Sequence, residues 1–170
     1  MTRPFDRYAS LRVLVVDDLP FARQLIRSML QQMGILKIVE ASSGQDALNH
    51  LSENPVDLLI CDWHMPGMSG LEVLIEVRQQ ACYAALPVLM VTAELTAAQV
   101  RDAIRAGVTS YVAKPFKPAV LKAHIESCLA LPGRAGHERS ADRSPGVRGH
   151  PRILVVDGAP NVADASLPLS

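Results

Sequence analysis

Four short apolar runs of this sequence end in polar residues of the kinds that bind metals and phosphoryl groups. These residues are Asp17 and Asp18 after VLVV, Asp62 after LLIC, Thr92 after LPVLMV, and Lys114 with Pro115 after YVA. Carboxylates suit a divalent metal, and a hydroxyl beside an ammonium suits a phosphoryl group. If these residues meet at one place, the sequence encodes a metal-dependent phosphoryl site.

The adjacent acids Asp17 and Asp18 allow two interpretations. Neighbouring carboxylates repel each other, so the pair favours a bound cation, and Mg²⁺ accepts carboxylates, carbonyls and water as ligands. Alternatively, Asp18 caps a helix that begins near Pro20. Asp62 favours the metal interpretation, because it adds a third carboxylate and can itself become an aspartyl-phosphate.

The other polar residues each have a structural alternative. Lys114 would neutralise phosphoryl charge, and a cis bond to Pro115 would aim its side chain, although a lysine here is also typical of a solvated strand end. Thr92 offers a hydroxyl, although β-branched residues are also common strand formers. Tyr111 is either a mobile aromatic residue or a half-buried core ring.

Alternating strand and helix patterns position these residues. Short Val, Ile and Leu stretches separated by helix-length segments predict buried parallel strands. The predicted strands are 11–16, 37–41, 58–62, 88–92 and 109–113, and the predicted helices are 20–33, 43–54, 70–80, 97–106 and 118–131. Right-handed crossovers favour a doubly wound (βα)5 domain of the α/β class. Because functional groups gather beyond the carboxyl ends of such strands, the polar residues should meet at one edge.

Composition narrows the function classes. The length of 170 residues allows one ordinary domain plus an appendage. Hydrophobic residues make up 49% and charged residues 20%, which is typical of a packed domain. Basic and acidic residues balance, so charge gives no argument for a nucleic acid or membrane partner. The sequence has neither a membrane-length apolar run nor a signal-peptide pattern, so we expect a cytoplasmic protein. Cys61, Cys82 and Cys128 lack metal-binding spacing and are expected to be small buried residues.

The chain divides into three predicted parts. Residues 10–131 form the α/β domain, and residues 132–151, rich in Pro, Gly, Arg and Ser, predict a flexible linker. Residues 152–170 begin with RILVVDGAP, which repeats RVLVVDDLP of the first strand with a glycine in place of the second acid. We interpret this segment as the truncated start of a second copy. It is predicted to be a disordered tail or a single strand that adds to a sheet edge.

Together, the acid pair, Asp62, Thr92 and the Lys114–Pro115 dipeptide resemble the receiver domain of two-component response regulators. The resemblance covers about residues 11–131, and the order of the motifs makes it specific. The chain is most similar to the single-domain chemotaxis type (CheY-like), through DWHMPGMSGLEVL, ALPVLMVTAE and YVAKPF. The resemblance implies a flavodoxin-like, five-stranded parallel sheet with strand order 2-1-3-4-5.

The resemblance also implies a role for each site residue. Asp62 would accept a phosphoryl group from a phosphohistidine of a sensor histidine kinase in a Mg²⁺-dependent reaction. Mg²⁺ would be bound by Asp18 and Asp62 directly, by the backbone carbonyl of His64, and by Asp17 through water. The remaining implied roles are contact with the phosphoryl group by Lys114 and Thr92, inward movement of Tyr111, and tuning of dephosphorylation by His64 and Glu94.

The implied output is a change in protein contacts. The surface formed by the fourth helix, the last strand and the last helix would bind a downstream protein target. A dimer through the same surface, or through the C-terminal strand, is an alternative. No enzymatic activity is expected beyond the self-catalysed phosphorylation and dephosphorylation of Asp62.

Four other functions would use parts of this sequence. A fragment of a tandem-receiver or hybrid-kinase protein, acting as a phosphorelay intermediate, would explain the C-terminal repeat. An aspartyl-phosphate phosphatase of the haloacid dehalogenase type would need a cap domain and an acid where His64 stands. The complete set of acids and Lys114 disfavours a phosphorylation-independent binding module. A DNA-binding regulator would need an effector domain after the linker.

Overall fold

The computed structural model describes residues 6–130. A helical turn at Asp6–Ala9 and a 3₁₀ turn at Ala81–Tyr83 accompany the main elements, and no helix in this range is long and apolar enough to cross a membrane. The predicted linker and C-terminal repeat, 132–151 and 152–170, lie outside the described residues. The strands and longer helices are β1 (Arg12–Val16), α1 (Pro20–Gln32), β2 (Lys37–Ala41), α2 (Gly44–Glu53), β3 (Leu58–Asp62), α3 (Gly70–Gln79), β4 (Val88–Thr92), α4 (Ala97–Ala106), β5 (Ser110–Ala113) and α5 (Pro118–Ala130).

The five strands form one parallel sheet in the order β2-β1-β3-β4-β5, which confirms the predicted doubly wound fold. Strands β3 and β4 are buried along their whole length, as expected for inner strands covered on both faces. Val16 of β1 pairs with Cys61 of β3, and Asp62 pairs with Val91 of β4. This register brings the residues that end or follow these strands to one edge, which we call the carboxyl edge.

Two apolar cores fill the space between the sheet and its helices, because strand side chains alternate between the two faces. On one face, Val13 and Val15 of β1 pack with α1 and α5. On the other, Leu14 and Val16 pack with α2, α3 and α4. Close packing on both sides makes the sheet a rigid platform for the groups at its carboxyl edge.

The predicted and observed ends of the elements agree to within one residue where they can be compared. The predicted cap of α1, however, differs from the observed one. Leu19 occupies its N-cap position, and no side chain of residues 6–130 caps the helix, so the alternative in which Asp18 is the cap is wrong. The next three helices are capped by Ser43, Ser69 and Thr96. The absence of a capping bond at α1 leaves the Asp18 carboxylate for another ligand.

The cysteines do not all behave as predicted. Cys61 and Cys128 are buried, whereas Cys82 is exposed on the 3₁₀ turn, so the prediction that it is buried was wrong. Burial raises the pKa of the Cys61 thiol far above its ordinary value, because the apolar surroundings disfavour the thiolate. Cys61 therefore packs as a small apolar side chain.

Candidate functional site

Three carboxylates converge at the carboxyl edge of the sheet. One oxygen each from Asp17, Asp18 and Asp62 lies within 4.8 Å of the other two. Asp17 and Asp62 are buried, with 0% and 7% of their surfaces exposed, while Asp18 is partly exposed. The neighbouring positions of β1 and β3 produce this cluster, because both strands run in the same direction and end at the same level.

Asp17 is fixed by hydrogen bonds to its backbone and to both carboxylate oxygens. Its N–H donates to the carbonyl of Ala41 in β2 at 3.2 Å. Its Oδ1 accepts from the N–H of Leu19 at 2.9 Å, and its Oδ2 accepts from Nζ of Lys114 at 2.8 Å. Its carbonyl accepts from Nη1 of Arg23 at 2.7 Å. Asp17 therefore contributes charge and a fixed position to the cluster.

Asp18 differs from its neighbour. Within residues 6–130, the Asp18 carboxylate makes no hydrogen bond or ion pair. Both of its oxygens keep their lone pairs for an external ligand. Asp18 is thus the acid with the most open ligand capacity in the cluster.

Lys114 supplies the cation of the site. Its Nζ lies 2.8 Å from Oδ2 of Asp17 and 3.5 Å from Oδ1 of Asp62. Its backbone N–H donates to the carbonyl of Thr92 at 2.7 Å, which ties the end of β5 to β4. The peptide bond to Pro115 is cis. Because Lys114 bridges two acids, the solvated strand-end interpretation does not describe it.

Burial and charge oppose each other within the cluster. Burial raises the pKa of Asp62, and the charge of Lys114 offsets only part of this effect. Burial alone would lower the pKa of Lys114, but its hydrogen bond to Asp17 and the charge of Asp62 outweigh it, so the pKa is raised. With all groups ionised, three carboxylates and one ammonium leave two excess negative charges. The all-oxygen donor set and this excess fit a hard divalent cation such as Mg²⁺.

The loop after β3 forms the wall of the site beside Asp62. The N–H of Trp63 donates to the carbonyl of Val91 at 2.9 Å, and the N–H of Gly70 donates to the carbonyl of Trp63 at 2.9 Å. Residue 70 must be glycine, because a β-carbon there would collide with the backbone carbonyl oxygen of Asp62. The loop therefore closes tightly against the end of β3.

His64 connects this loop to α4. Its ring Nε2 lies 3.2 Å from Nε2 of Gln99, in the first turn of that helix. The carboxamide oxygen of Gln99 accepts from the N–H of Thr96 in the capping box of α4. The ring of His64 is thus engaged by a helix, and metal ligation by its backbone carbonyl stays a prediction.

The hydroxyl of Thr92 is bonded within its own loop and not to the acids. Thr92 is buried, and its Oγ1 donates to the carbonyl of Glu94 at 2.7 Å while accepting from the N–H of Glu94 at 3.2 Å. The side chain of Glu94 is exposed. A contact between Thr92 and a phosphoryl group would therefore require rotation of the hydroxyl.

Tyr111 is half-buried on β5, beside Met90 of β4. Its ring packs against the core between the sheet and α2, α3 and α4. Burial raises the pKa of its hydroxyl. The half-buried core interpretation describes this conformation, and movement of the ring stays a prediction.

Two polar features were missed by the sequence interpretation. Arg23 contacts the carbonyl of Asp17, and Oγ of Ser110 lies 2.8 Å from Nδ1 of His124 in a buried pair between β5 and α5. The helical spacing of His124 from buried Leu121 was a usable signal. No local pattern marks Arg23, because its partners come from other elements.

The fold and the site define a class. A doubly wound parallel sheet that gathers an acid pair, a third aspartate, a threonine and a lysine near its carboxyl edge has the architecture of a receiver-type signalling domain. Residues 13–126 match the response regulator receiver domain family, and the chain belongs to that family. Such domains act in two-component signal transduction, with a histidine kinase and a downstream target.

Similar proteins include several chemotaxis proteins. Chemotaxis protein CheY of Pseudomonas aeruginosa is 43% identical over 116 residues, covering 68% of this chain and 94% of the relative. A CheY homologue of Campylobacter jejuni is 42% identical over 120 residues, covering 70% and 92%. The structure of chemotaxis protein CheY4 of Vibrio cholerae is 33% identical with a TM-score of 0.67, covering 70% and 98%. These similarities confirm the predicted family.

Proposed function

We propose that this chain is a phosphorylation-switched receiver in which Asp62 accepts a phosphoryl group from a histidine kinase and the changed surface signals to a chemotaxis or motility target. One observation carries the proposal. The buried Asp62 carboxylate faces Lys114 at 3.5 Å and shares the carboxyl edge with two further acids. The relatives named for chemotaxis support the assignment to motility.

The transfer step needs a nucleophile and neutralised charge. A carboxylate oxygen of Asp62 forms a bond to phosphorus while the bond from phosphorus to the kinase histidine nitrogen breaks, so the electron pair of that bond stays on the histidine. Lys114 lies beside the reacting carboxylate and would bind a phosphoryl oxygen. Its hydrogen bond to Asp17 holds the ammonium at the cluster.

The acids provide the place for Mg²⁺. Asp18 and Asp62 would hold the ion directly, with the His64 carbonyl, and Asp17 would act through water. When bound, Mg²⁺ neutralises charge on the phosphoryl oxygens. The excess of two negative charges at the cluster supports this assignment, as does the Asp18 carboxylate, which has no partner among the described residues.

The switch would start at Thr92. Its hydroxyl now bonds to the backbone of Glu94, and a phosphoryl group on Asp62 offers a competing, charged acceptor. Rotation of Thr92 would release the loop before α4 and change the space available to Tyr111. The result would be a shift between two packings of the α4, β5 and α5 surface, which binds the target.

Labelling tests the acceptor. Acetyl phosphate and Mg²⁺ should add one alkali-labile phosphoryl group to the wild-type chain, detected by intact-mass measurement, and Asp62→Asn should not be labelled. Asp102→Asn, an exposed acid on α4, is the matched control and should label normally. Undiminished labelling of Asp62→Asn would refute the site.

Complementation tests the output. Wild-type protein should restore swarming to a host that lacks its own chemotaxis receiver, and Asp62→Asn should not. If both restore swarming equally, signalling does not depend on Asp62 phosphorylation. If neither does, despite normal labelling in vitro, the motility assignment is wrong while the receiver assignment stands.

A further inference from the structure

Arg23 of α1 lies outside the predicted site but contacts it. Its side chain is 17% exposed, and its Nη1 donates to the backbone carbonyl of Asp17 at 2.7 Å. We propose that Arg23 is a positioning residue that fixes the acid pair and thereby gives the site its preference for Mg²⁺ over Ca²⁺. This inference rests on the proposed function, because it concerns the same metal site.

The carbonyl that Arg23 binds belongs to the peptide group joining the two acids. A peptide group is planar, so holding its oxygen also fixes the direction in which the chain continues to Asp18. The Asp18 carboxylate has no hydrogen bond or ion pair of its own among residues 6–130. Its position therefore depends on the backbone, and Arg23 makes the side-chain contact that restrains that backbone at the Asp17 carbonyl.

Arg23 is itself anchored from the sheet. Its Nε lies 3.5 Å from Oε1 of Glu40 in β2, and Nη1 of Arg27 lies 2.8 Å from Oε2 of the same carboxylate. Glu40 thus holds two arginines of α1, of which only Arg23 reaches the acid pair. Arg27 is consequently a matched control, since it shares the anchor and the helix but has no hydrogen bond to Asp17.

Rigidity of the acid pair affects the binding of Mg²⁺ more than the binding of Ca²⁺. Mg²⁺ requires near-ideal octahedral geometry at short distances, whereas Ca²⁺ tolerates longer and more variable coordination. A restrained Asp18 suits the smaller ion. If the Asp17 carbonyl is released, the pair gains freedom that Ca²⁺ can accommodate and Mg²⁺ cannot.

The test is a titration of the full chain with each ion. Trp63 is the only tryptophan and follows Asp62 directly, so its fluorescence reports on binding, and calorimetry provides a second readout. Arg23→Met should weaken Mg²⁺ binding about tenfold or more, as is typical for groups that orient metal ligands, and Ca²⁺ binding by less than about threefold. Arg23→Lys keeps a positive charge and N–H donors but loses the planar guanidinium, so its Mg²⁺ affinity should lie between those of wild type and Arg23→Met. Arg27→Met should bind both ions like the wild type.

The outcomes separate this inference from the proposed function. If the wild type binds no Mg²⁺, the proposed metal site fails. If the wild type binds Mg²⁺ and Arg23→Met binds it equally well, the role of Arg23 is refuted. Equal losses for both ions, or an equal loss in Arg27→Met, also refute it, because they indicate general loosening of α1. Thermal unfolding without metal identifies any variant that does not fold, and Arg23→Lys then decides between the outcomes.

Discussion

Two buried polar clusters of this domain satisfy their groups in opposite ways. At the carboxyl edge, Asp17 and Asp62 are buried beside a single ammonium, so negative charge is left in excess. Between β5 and α5, Ser110 and His124 are 3% and 5% exposed and form a neutral hydrogen bond at 2.8 Å. The second cluster is complete by itself, whereas the first requires a cation from outside.

The difference shows where the fold gives up stability. Burial disfavours the charged form in both places, since it raises the pKa of Asp62 and lowers the pKa of His124. At His124 burial favours the neutral form, which its hydrogen bond to Ser110 satisfies. At Asp62 the charged carboxylate is needed for the proposed chemistry. The domain therefore keeps a buried negative charge that lowers its stability, and a bound cation would offset this cost. Variants of each cluster should therefore respond differently to Mg²⁺ and to pH.

The largest effect is expected from Lys114→Met. Removing the ammonium deprives the buried Asp17 and Asp62 carboxylates of their ion-pair partner, and the free energy of unfolding should fall by about 3 kcal/mol in metal-free buffer. Urea denaturation followed by circular dichroism measures this change. Lys117→Met removes an exposed lysine nearby and should change stability little. A loss below about 1 kcal/mol for Lys114→Met would mean that water, and not Lys114, stabilises the acids.

Ser110→Ala breaks the neutral cluster. It leaves Nδ1 of His124 without its partner in a buried position, which should lower the free energy of unfolding by about 1–2 kcal/mol. The loss should not depend on Mg²⁺. Ser127→Ala is the control, because Ser127 only bonds the carbonyl of Ala123 within α5. The double variant Ser110→Val with His124→Leu should recover much of the loss, and failure to do so would show that packing, not the hydrogen bond, dominates.

Asp62→Asn should act in the opposite direction. It removes a buried charge whose pKa is raised by burial, so metal-free stability should increase by about 1 kcal/mol. Saturating Mg²⁺ should remove this advantage, because the ion stabilises only the chain that binds it. Thermal unfolding with and without Mg²⁺ measures both effects, with Asp102→Asn as control. A destabilised Asp62→Asn variant would contradict the view that the acids are strained without metal.

The site residues could be predicted from the sequence better than the residues that hold them in place. Parallel strands end at one edge, so the meeting of Asp17, Asp62 and Lys114 follows from sequence order alone. The cap alternative for Asp18 failed because Pro20 occupies the first helical position, which places the N-cap at Leu19 in the extended conformation that a following proline favours. The rotamer of a buried hydroxyl is decided by competing acceptors. The hydrogen bonds between Thr92 and the backbone of Glu94 could therefore not be predicted from the sequence.

The supports depend on contacts between distant elements. Arg23 reaches Asp17 and Glu40 only because α1 packs beside the sheet, with this side chain close to the end of β1 and to β2. The helical spacing of His124 from Leu121 is a signal of burial that the sequence interpretation did not use, and its partner Ser110 depends on how α5 lies against β5. Patterns of residue type thus locate groups on a face or an edge. Register and packing between elements decide which groups touch.

The last prediction concerns the pH dependence of stability that His124 contributes. Burial lowers its pKa in the folded chain, so the unfolded chain binds the proton more tightly and stability rises with pH. The contribution is fully present above the unfolded value of about 6.5 and is lost as the pH falls towards the folded value, by at most about 1.4 kcal/mol per pH unit. The difference in unfolding free energy between wild type and His124→Gln, measured from pH 7.5 to 5.5, isolates this group from the other four histidines of the chain. An unchanged difference would show that His124 has the same pKa in the folded and unfolded chains, and would contradict the lowering of its pKa by burial.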